Sequence, residues 1–194
     1  MRIISGSARG RKLEVPKAGT RPTSDRLKEA MFSSIESHLA QSGVDWGQVN
    51  FVDLFAGSGA VGLEAKSRGA QQAVLVENEL KARTIIENNA SRAGLPVRIV
   101  NSDAYLWAPT FEVNILFLDP PYDHYDTQVQ QYFARICEGN HLPGALLICE
   151  RGVRSVSPFA LVSEEVLPLV WERTYGDSKL WYGQVGSDPI RGGM

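Results

Sequence analysis

The chain has 194 residues, of which 43% are hydrophobic and 22% charged, a length and composition that suit one soluble globular domain with a single core. No run approaches the roughly 20 uninterrupted apolar residues of a membrane span. The opening "MRIISGSARGRKLEVP" has neither the apolar segment nor the small-residue cleavage site of a secretory signal, so the chain reads as cytoplasmic.

A net charge of −2 conceals an uneven distribution. Residues 1–28 carry Arg2, Arg9, Arg11, Lys12, Lys17, Arg21, Arg26 and Lys28 against Glu14 and Asp25, which makes +6 there and −8 in the rest. Such a basic arm suits a polyanionic partner, the alternative being a solvated tail. Cys137 and Cys149 lack metal-ligand spacing and His38, His124 and His141 are scattered, so no metal and no disulfide are expected and the thiols read as packing residues.

In chain order, "RIISGSARGRKLEVP" reads as two short strands around a Gly-rich turn, a small β-hairpin extension with Arg9, Arg11 and Lys12 exposed on it. "TSDRLKEAMFSSIESHLAQSG" then spaces Leu27, Ala30, Met31, Ser34, Ile35, His38 and Leu39 as one face of a helix, with Thr23 or Ser24 as N-cap and Gly43 as stop. His38 lies in that stripe as a packed or half-exposed residue rather than a ligand.

From Val49 the pattern becomes apolar runs, "VNFVDLF", "QAVLVEN", "PVRIVNSD", "NILFLDPP" and "GALLICER", separated by helices expected over 60–69, 79–93 and 124–138. Near-continuous apolar runs indicate strands covered on both faces, hence an α/β fold of the doubly wound type with a mostly parallel sheet and helices on both faces. "EEVLPLVWERTYG" and "KLWYGQV" flank a turn at Gly176-Asp177-Ser178 and read as a terminal antiparallel hairpin at the sheet edge. The expected organisation is a basic extension over 1–20, a main α/β domain over 21–186 and a flexible tail over 187–194.

The first strand runs into "DLFAGSGAVGLEA". Gly57 and Gly59 permit a tight turn with the backbone close to a ligand, and the helix that follows offers free N–H groups and a partial positive charge. Gly57, Gly59 and Gly62 also satisfy the dinucleotide spacing G-x-G-x-x-G, which keeps an NAD enzyme in view. Glu77, at the end of the second strand, can accept both ribose hydroxyls, and Asp103, after the third, can accept from an adenine amine. Asp53, Glu77, Asp103 and Asp119 each close a successive strand. Four strand-end acids are hard to explain as helix caps alone, and the missing Walker A lysine argues against a P-loop NTPase.

The motifs "DLFAGSGAVGLEA", "VLVEN", "NSDA" and "LFLDPPY", in that order, resemble those of S-adenosylmethionine-dependent amino-methyltransferases. With "RIISGSARGRKLEVP" and "TRPTSDRLKEAMFSSI" ahead of them, the chain resembles the bacterial RsmD family, closely over 1–125 and loosely beyond. That resemblance implies a Rossmann-like seven-stranded sheet with a reversed strand near its end. It implies the activity of a 16S rRNA (guanine(966)-N2)-methyltransferase, which uses S-adenosyl-L-methionine and releases S-adenosyl-L-homocysteine without a metal. The implied partner is 16S rRNA in the 30S subunit or an assembly intermediate, met by a monomer with no membrane association.

The resemblance further implies cofactor contacts at Asp53, Phe55, Gly57, Gly59, Glu77, Asn78, Asp103 and Ala104, a catalytic box at Asp119, Pro120, Pro121 and Tyr122, and RNA contacts at Arg2, Arg9, Arg11, Lys12, Arg21 and Arg26. Physically, an exocyclic base amine is a poor nucleophile because its lone pair is delocalised into the ring. The Asp119 carboxylate and the Pro120 carbonyl can accept its two N–H bonds and draw the nitrogen toward tetrahedral geometry. The prolines stiffen the turn, and Tyr122 can stack on a base swung out of its helix.

Three other readings stay open on the residues alone. An adenine-N6 methyltransferase shares the box but would need target readout that is not evident here. A nucleotide-dependent oxidoreductase leaves Asp119 to Tyr122 without a task, and a noncatalytic RNA-binding protein leaves the strand-end acids without one. Trp107, Trp171, Trp181 and Tyr182 offer an RNA platform, with core or edge packing the plainer role.

Overall fold

The computed structural model describes residues 1–15, 25–121, 125–139 and 141–187. The described residues form seven strands and four α-helices: α1 (Asp25–Ser42), β1 (Asn50–Leu54), α2 (Ala60–Arg68), β2 (Gln72–Val76), α3 (Leu80–Ala93), β3 (Arg98–Val100), β4 (Ile115–Leu118), α4 (Asp126–Cys137), β5 (Leu146–Gly152), β6 (Leu169–Tyr175) and β7 (Ser178–Gln184). They form a seven-stranded sheet in the order β3-β2-β1-β4-β5-β7-β6, the mostly parallel α/β arrangement that the apolar runs predict, with β7 antiparallel to both of its neighbours. The chain divides into two compact units, Met1–Ala104 and Tyr105–Met194.

In the first unit β1 and β2 pair in parallel from Asn50 opposite Gln72 to Leu54 opposite Val76, and β3 joins β2 with Val74 opposite Arg98. Strands β1 and β2 are buried along almost their whole length because short βα connections lay helices against them. α1 buries Leu27, Met31, Ile35 and Leu39, one residue per turn, with Phe32 stacked on Phe51 of β1 at 6.2 Å. It ends as a left-handed Gly43 lets the Val44 N–H return to the Leu39 carbonyl at 3.0 Å. The expected helices over 60–69 and 79–93 appear as α2 and α3, each stopped by a left-handed glycine, Gly69 and Gly94. The proposed caps Thr23 and Ser24 lie outside the described residues.

The arm before α1 forms no strand ladder among the described residues. A single antiparallel bridge, Arg2 with Lys12, closes a loop in which the Ile3 N–H donates to the Arg11 carbonyl and the Gly10 N–H to the Ile3 carbonyl. The loop is no loose tail, because Ile3, Ala8 and Leu13 pack with Ala60 and Leu63 of α2 and with Ala90 and Leu95. At its turn, Gly6 lies against the C-terminal part of α2 so closely that a Cβ would stand 1.8 Å from the Ser67 carbonyl oxygen; its φ of +80° also excludes ordinary side chains.

Inside this contact lies a charge cluster. Lys28 is 0% exposed, 3.4 Å from the Glu64 carboxylate, and donates to the Arg2 carbonyl at 2.6 Å. Glu64 also accepts from the N–H groups of Ile4 and Ser5 and from Arg68, which pairs in turn with Glu36 and lies over the Phe32 ring. Burial pushes the Lys28 ammonium below the usual lysine value, while the neighbouring charges of Glu64 and Asp25 pull it back up. Lys28 is thus an internal tie, a correction to counting it in the basic surface.

In the second unit β4 pairs with β5 in parallel, Leu118 opposite Cys149, and β5, β7 and β6 pair antiparallel around the Gly176-Asp177 turn. Tyr182 is buried with Trp171 stacked on it at 5.0 Å, and Lys179 sits over Trp181, so three of the four aromatic candidates serve the hairpin. The expected helix over 124–138 is α4, which buries Val129, Phe133, Ile136 and Cys137 along one face. Cys137 and Cys149 are free and buried; burial pushes the Cys137 thiol up to about 12 and raises the Cys149 thiol also. Among the described residues no helix is long and apolar enough to cross a membrane.

Candidate functional site

In the first unit the glycine loop is built around two acids. Asp53 sits inside β1, one residue before its end, rather than closing it, and is only 2% exposed. Its carboxylate accepts from the Gly62 N–H at 2.8 Å, in the first turn of α2. The N-cap of α2 is Gly59, which has no side chain to cap with, so the strand supplies the acceptor that the helix start lacks. Burial pushes the Asp53 carboxyl up to about 7; the Gly62 hydrogen bond opposes this and the Glu77 charge adds to it.

Glu77 follows β2 directly. One carboxylate oxygen accepts from the Gly57 N–H and the other from the Glu79 N–H, both at 2.9 Å, while its own N–H donates to the Val100 carbonyl. Each oxygen carries a second lone pair, so the carboxylate can still take two hydroxyl donors. The loop itself is strained: Phe55 has a φ of 60°, uncommon for any residue but glycine and worth about 1–3 kcal/mol. The following Ala56 N–H donates to the Val76 carbonyl, which extends the β1–β2 ladder past the bend. Gly59 is also left-handed, which disfavours other residues, and a Cβ there would press on the Leu75 and Ile86 side chains at 3.0–3.3 Å.

Asn78 and Asp103 are exposed and Ala104 is buried, so the expected cofactor residues after β2 and β3 stand at the carboxyl ends of adjacent strands in one unit. Arg83, absent from the expected set, bonds the Asn78 carbonyl at 2.6 Å and the Asn101 side chain at 2.8 Å, and so ties the two strand ends together. Asn89 was also missed. It is 1% exposed, donates to the Ser58 carbonyl in the glycine loop and to the Glu14 carbonyl in the arm, and accepts from the Glu14 N–H and from Arg92. A polar residue spaced into the buried face of α3 is the sequence signal that could have marked it.

Arg2, Arg9, Arg11, Lys12 and Arg26 are exposed, with Arg2 3.9 Å from Asp25. Arg21 lies outside the described residues, as does the tail beyond residue 187.

In the second unit Asp119 follows β4 directly, with Pro120 buried and Pro121 exposed; Tyr122 lies outside the described residues. Arg151 of β5, 4% exposed, donates to the Pro121 carbonyl at 3.4 Å and to Asp126 in the first turn of α4 at 3.1 Å. Neither Arg151 nor Asp126 was anticipated, although a charged pair ending the apolar run "GALLICER" is a visible anomaly. Among the described residues no group of three His, Cys, Asp or Glu is placed to hold a metal.

A carboxylate with its loop-facing lone pairs already committed, and no lysine in the glycine turn, suits hydroxyl and amine donors better than phosphate. A carboxylate followed by two prolines presents two hydrogen-bond acceptors on a stiff support. The first arrangement suits a nucleoside; the second suits an amine.

Comparison with known proteins places this architecture. The model of the family described as Conserved hypothetical protein 95 matches residues 1–184. The Escherichia coli K12 protein named Ribosomal RNA small subunit methyltransferase D is 44% identical over 126 residues, a stretch that covers 63% of this chain and 60% of that relative's length. The Haemophilus influenzae protein of the same name is 32% identical over 185 residues, covering 91% of this chain and 89% of the relative. A solved Thermus thermophilus protein described as hypothetical superposes with a TM-score of 0.77 at 30% identity, covering 96% of this chain and 99% of its own. The chain belongs to the Conserved hypothetical protein 95 family, that of the ribosomal RNA small subunit methyltransferase D proteins.

Proposed function

We propose that the chain transfers the methyl group of S-adenosyl-L-methionine to the exocyclic N2 amine of a guanine in small-subunit (16S) ribosomal RNA. The reading rests on one observation above the others: an Asp-Pro-Pro box after β4 in a chain whose glycine loop is closed by an acid at the end of β2. Family membership and the names of the relatives support it.

The donor set fits the cofactor. Glu77 keeps lone pairs for the two ribose hydroxyls, Asp103 offers an acceptor for the adenine amine, and the bend at Phe55 to Gly59 leaves backbone near the ligand; Asp53, Asn78 and Ala104 complete the set. When bound, S-adenosyl-L-methionine supplies an electrophilic methyl group on a sulfonium.

Asp119 and the Pro120 carbonyl accept the two N–H bonds of the target amine, which localises the nitrogen lone pair. The fixed φ of both prolines limits how far these acceptors can wander, and Tyr122 stacks on the extruded base. Attack turns the amine into a cationic nitrogen whose proton is readily lost, to Asp119 or to water, so no strong base is required. Much of the acceleration comes from alignment, which can contribute about 7–11 kcal/mol.

Residues 1–20 form the RNA-binding extension, with Arg2 and the phosphate-neutralising Arg9, Arg11 and Lys12, and residues 21–186 form the catalytic domain, whose Arg21 and Arg26 also contact RNA. The protein works as a cytoplasmic monomer on 16S rRNA, within the 30S subunit or an assembly intermediate.

The test is incubation with labelled methyl donor and either naked 16S rRNA or small subunits from an unmodified strain, followed by nucleoside analysis. Label in N2-methylguanosine is expected. Label in N6-methyladenosine would assign the adenine activity instead, and binding of NAD but not of the methyl donor in calorimetry would overturn the proposal.

A further inference from the structure

We infer that Arg151 is a positioning residue for the methyl-accepting box, acting through Pro121 and Asp126. The inference rests on the proposed amine methylation and adds to it the element that holds the box in shape.

The upstream end of the box is fixed by the sheet, since Leu118, the residue before Asp119, is paired with Cys149 of β5. Two proline rings fix φ at 120 and 121, so the soft torsions left are φ of Asp119 and the ψ angles of Asp119, Pro120 and Pro121, with the first two of those ψ angles narrowed by the proline that follows. A restraint on the Pro121 carbonyl therefore removes most of the remaining freedom. Arg151 provides it from the same strand that fixes the upstream end: two residues beyond Cys149, its Nη1 donates to the Pro121 carbonyl at 3.4 Å. β5 thus grips the tripeptide at both ends.

The guanidinium is itself held. Its Nε and Nη2 donate to one Asp126 oxygen at 3.3 and 3.1 Å, and the other Asp126 oxygen accepts from the Val156 N–H at 3.4 Å. Asp126 stands in the first turn of α4, where a negative charge also meets the helix dipole. Lysine cannot replace this arrangement, because a single ammonium lacks the planar fork that reaches a carbonyl and a carboxylate together.

The experiment compares the full-length wild type with Arg151→Lys, Asp126→Asn and the charge-neutral double variant Arg151→Met/Asp126→Asn. The readouts are kcat and KM for methyl transfer to rRNA, the calorimetric Kd for S-adenosyl-L-methionine, and the Tm. Misplacement of the acceptors by about 1 Å can cost about 100-fold in rate, and a kcat loss of roughly 10-fold to 100-fold is expected in Arg151→Lys and in the double variant, with Kd and KM within about 2-fold of wild type. The double variant removes both charges of the Arg151–Asp126 pair, so its Tm stays nearer wild type than that of either single variant while its kcat still falls, which separates positioning from folding. Wild-type kcat in the double variant, or a Tm loss that accounts for the whole rate loss in each variant, would overturn the inference. A wild-type chain that methylates no RNA at all would instead overturn the functional reading on which it rests.

Discussion

The backbone N–H of Gly57 donates to the Glu77 carboxylate at 2.9 Å, so the acid that ends β2 holds the shape of the loop that ends β1. Glu77 is therefore both a ligand candidate and the loop's support. Glu77→Ala removes two charge-assisted hydrogen bonds together with the hydroxyl acceptors, and each such bond is worth about 1.5–3 kcal/mol. S-Adenosyl-L-methionine affinity should fall by at least about 10-fold, as read by calorimetry. A Kd unchanged from wild type would remove Glu77 from the cofactor site.

Asp119→Ala should separate binding from chemistry. The residue directly follows β4 in the second unit, whereas the Gly57 and Gly62 N–H groups are held by Glu77 and Asp53 of the first. We expect methyl transfer to drop by at least about 100-fold, the scale of losing a preorganised transition-state contact, with the cofactor Kd nearly constant. Parallel loss of both quantities would mean that Asp119 supports the fold rather than the reaction.

The exposed arm makes an electrostatic prediction. Replacing Arg9, Arg11 and Lys12 with Ala removes three cations from a loop whose anchoring depends on other residues: Ile3, Ala8, Leu13 and Glu64. The slope of log affinity for RNA against log salt should become shallower by about 2, since each lost phosphate contact contributes about 0.7 on single strands. An unaltered slope would move the RNA contact elsewhere.

Asp53 gives the stability curve a definite direction. An ordinary aspartate, with a value of 3.8, ionises in the unfolded chain well before the buried carboxyl does at about 7. The unfolded state therefore binds fewer protons between about pH 4 and pH 7, and stability falls as pH rises through that window. Asp53→Asn keeps an oxygen acceptor for Gly62 and removes the titration. Urea unfolding at several pH values should show a flatter profile for the variant, whereas profiles of equal slope would exclude Asp53 as the cause.

Much of the fold was legible because its signals are local. Apolar runs such as "LLIC" can be satisfied only in a buried strand, and glycines at 43, 69 and 94 stop helices through their own backbone freedom. The placement of Glu77, Asp103 and Asp119 just after strands followed from the same runs. What could not be read is pairing across distance. Nothing near Glu64 in the chain says that it will receive Ile4, Ser5 and Lys28, and nothing near Arg151 points to Pro121. The basic count at the N-terminus misled at Lys28 for that reason: charge is a property of the sequence, but which charges face water depends on packing.

The side-chain amide of Asn89 joins Glu14 to Ser58, and this sets a limit on dissecting the protein. A shortened chain starting after residue 15 would strand that amide in the interior, strip the cover from Leu63 and leave Lys28 and Glu64 facing a void where Arg2, Ile4 and Ser5 had been. The first fifteen residues are part of the interior of the first unit, and affinity tags or fusions are better attached at the other terminus.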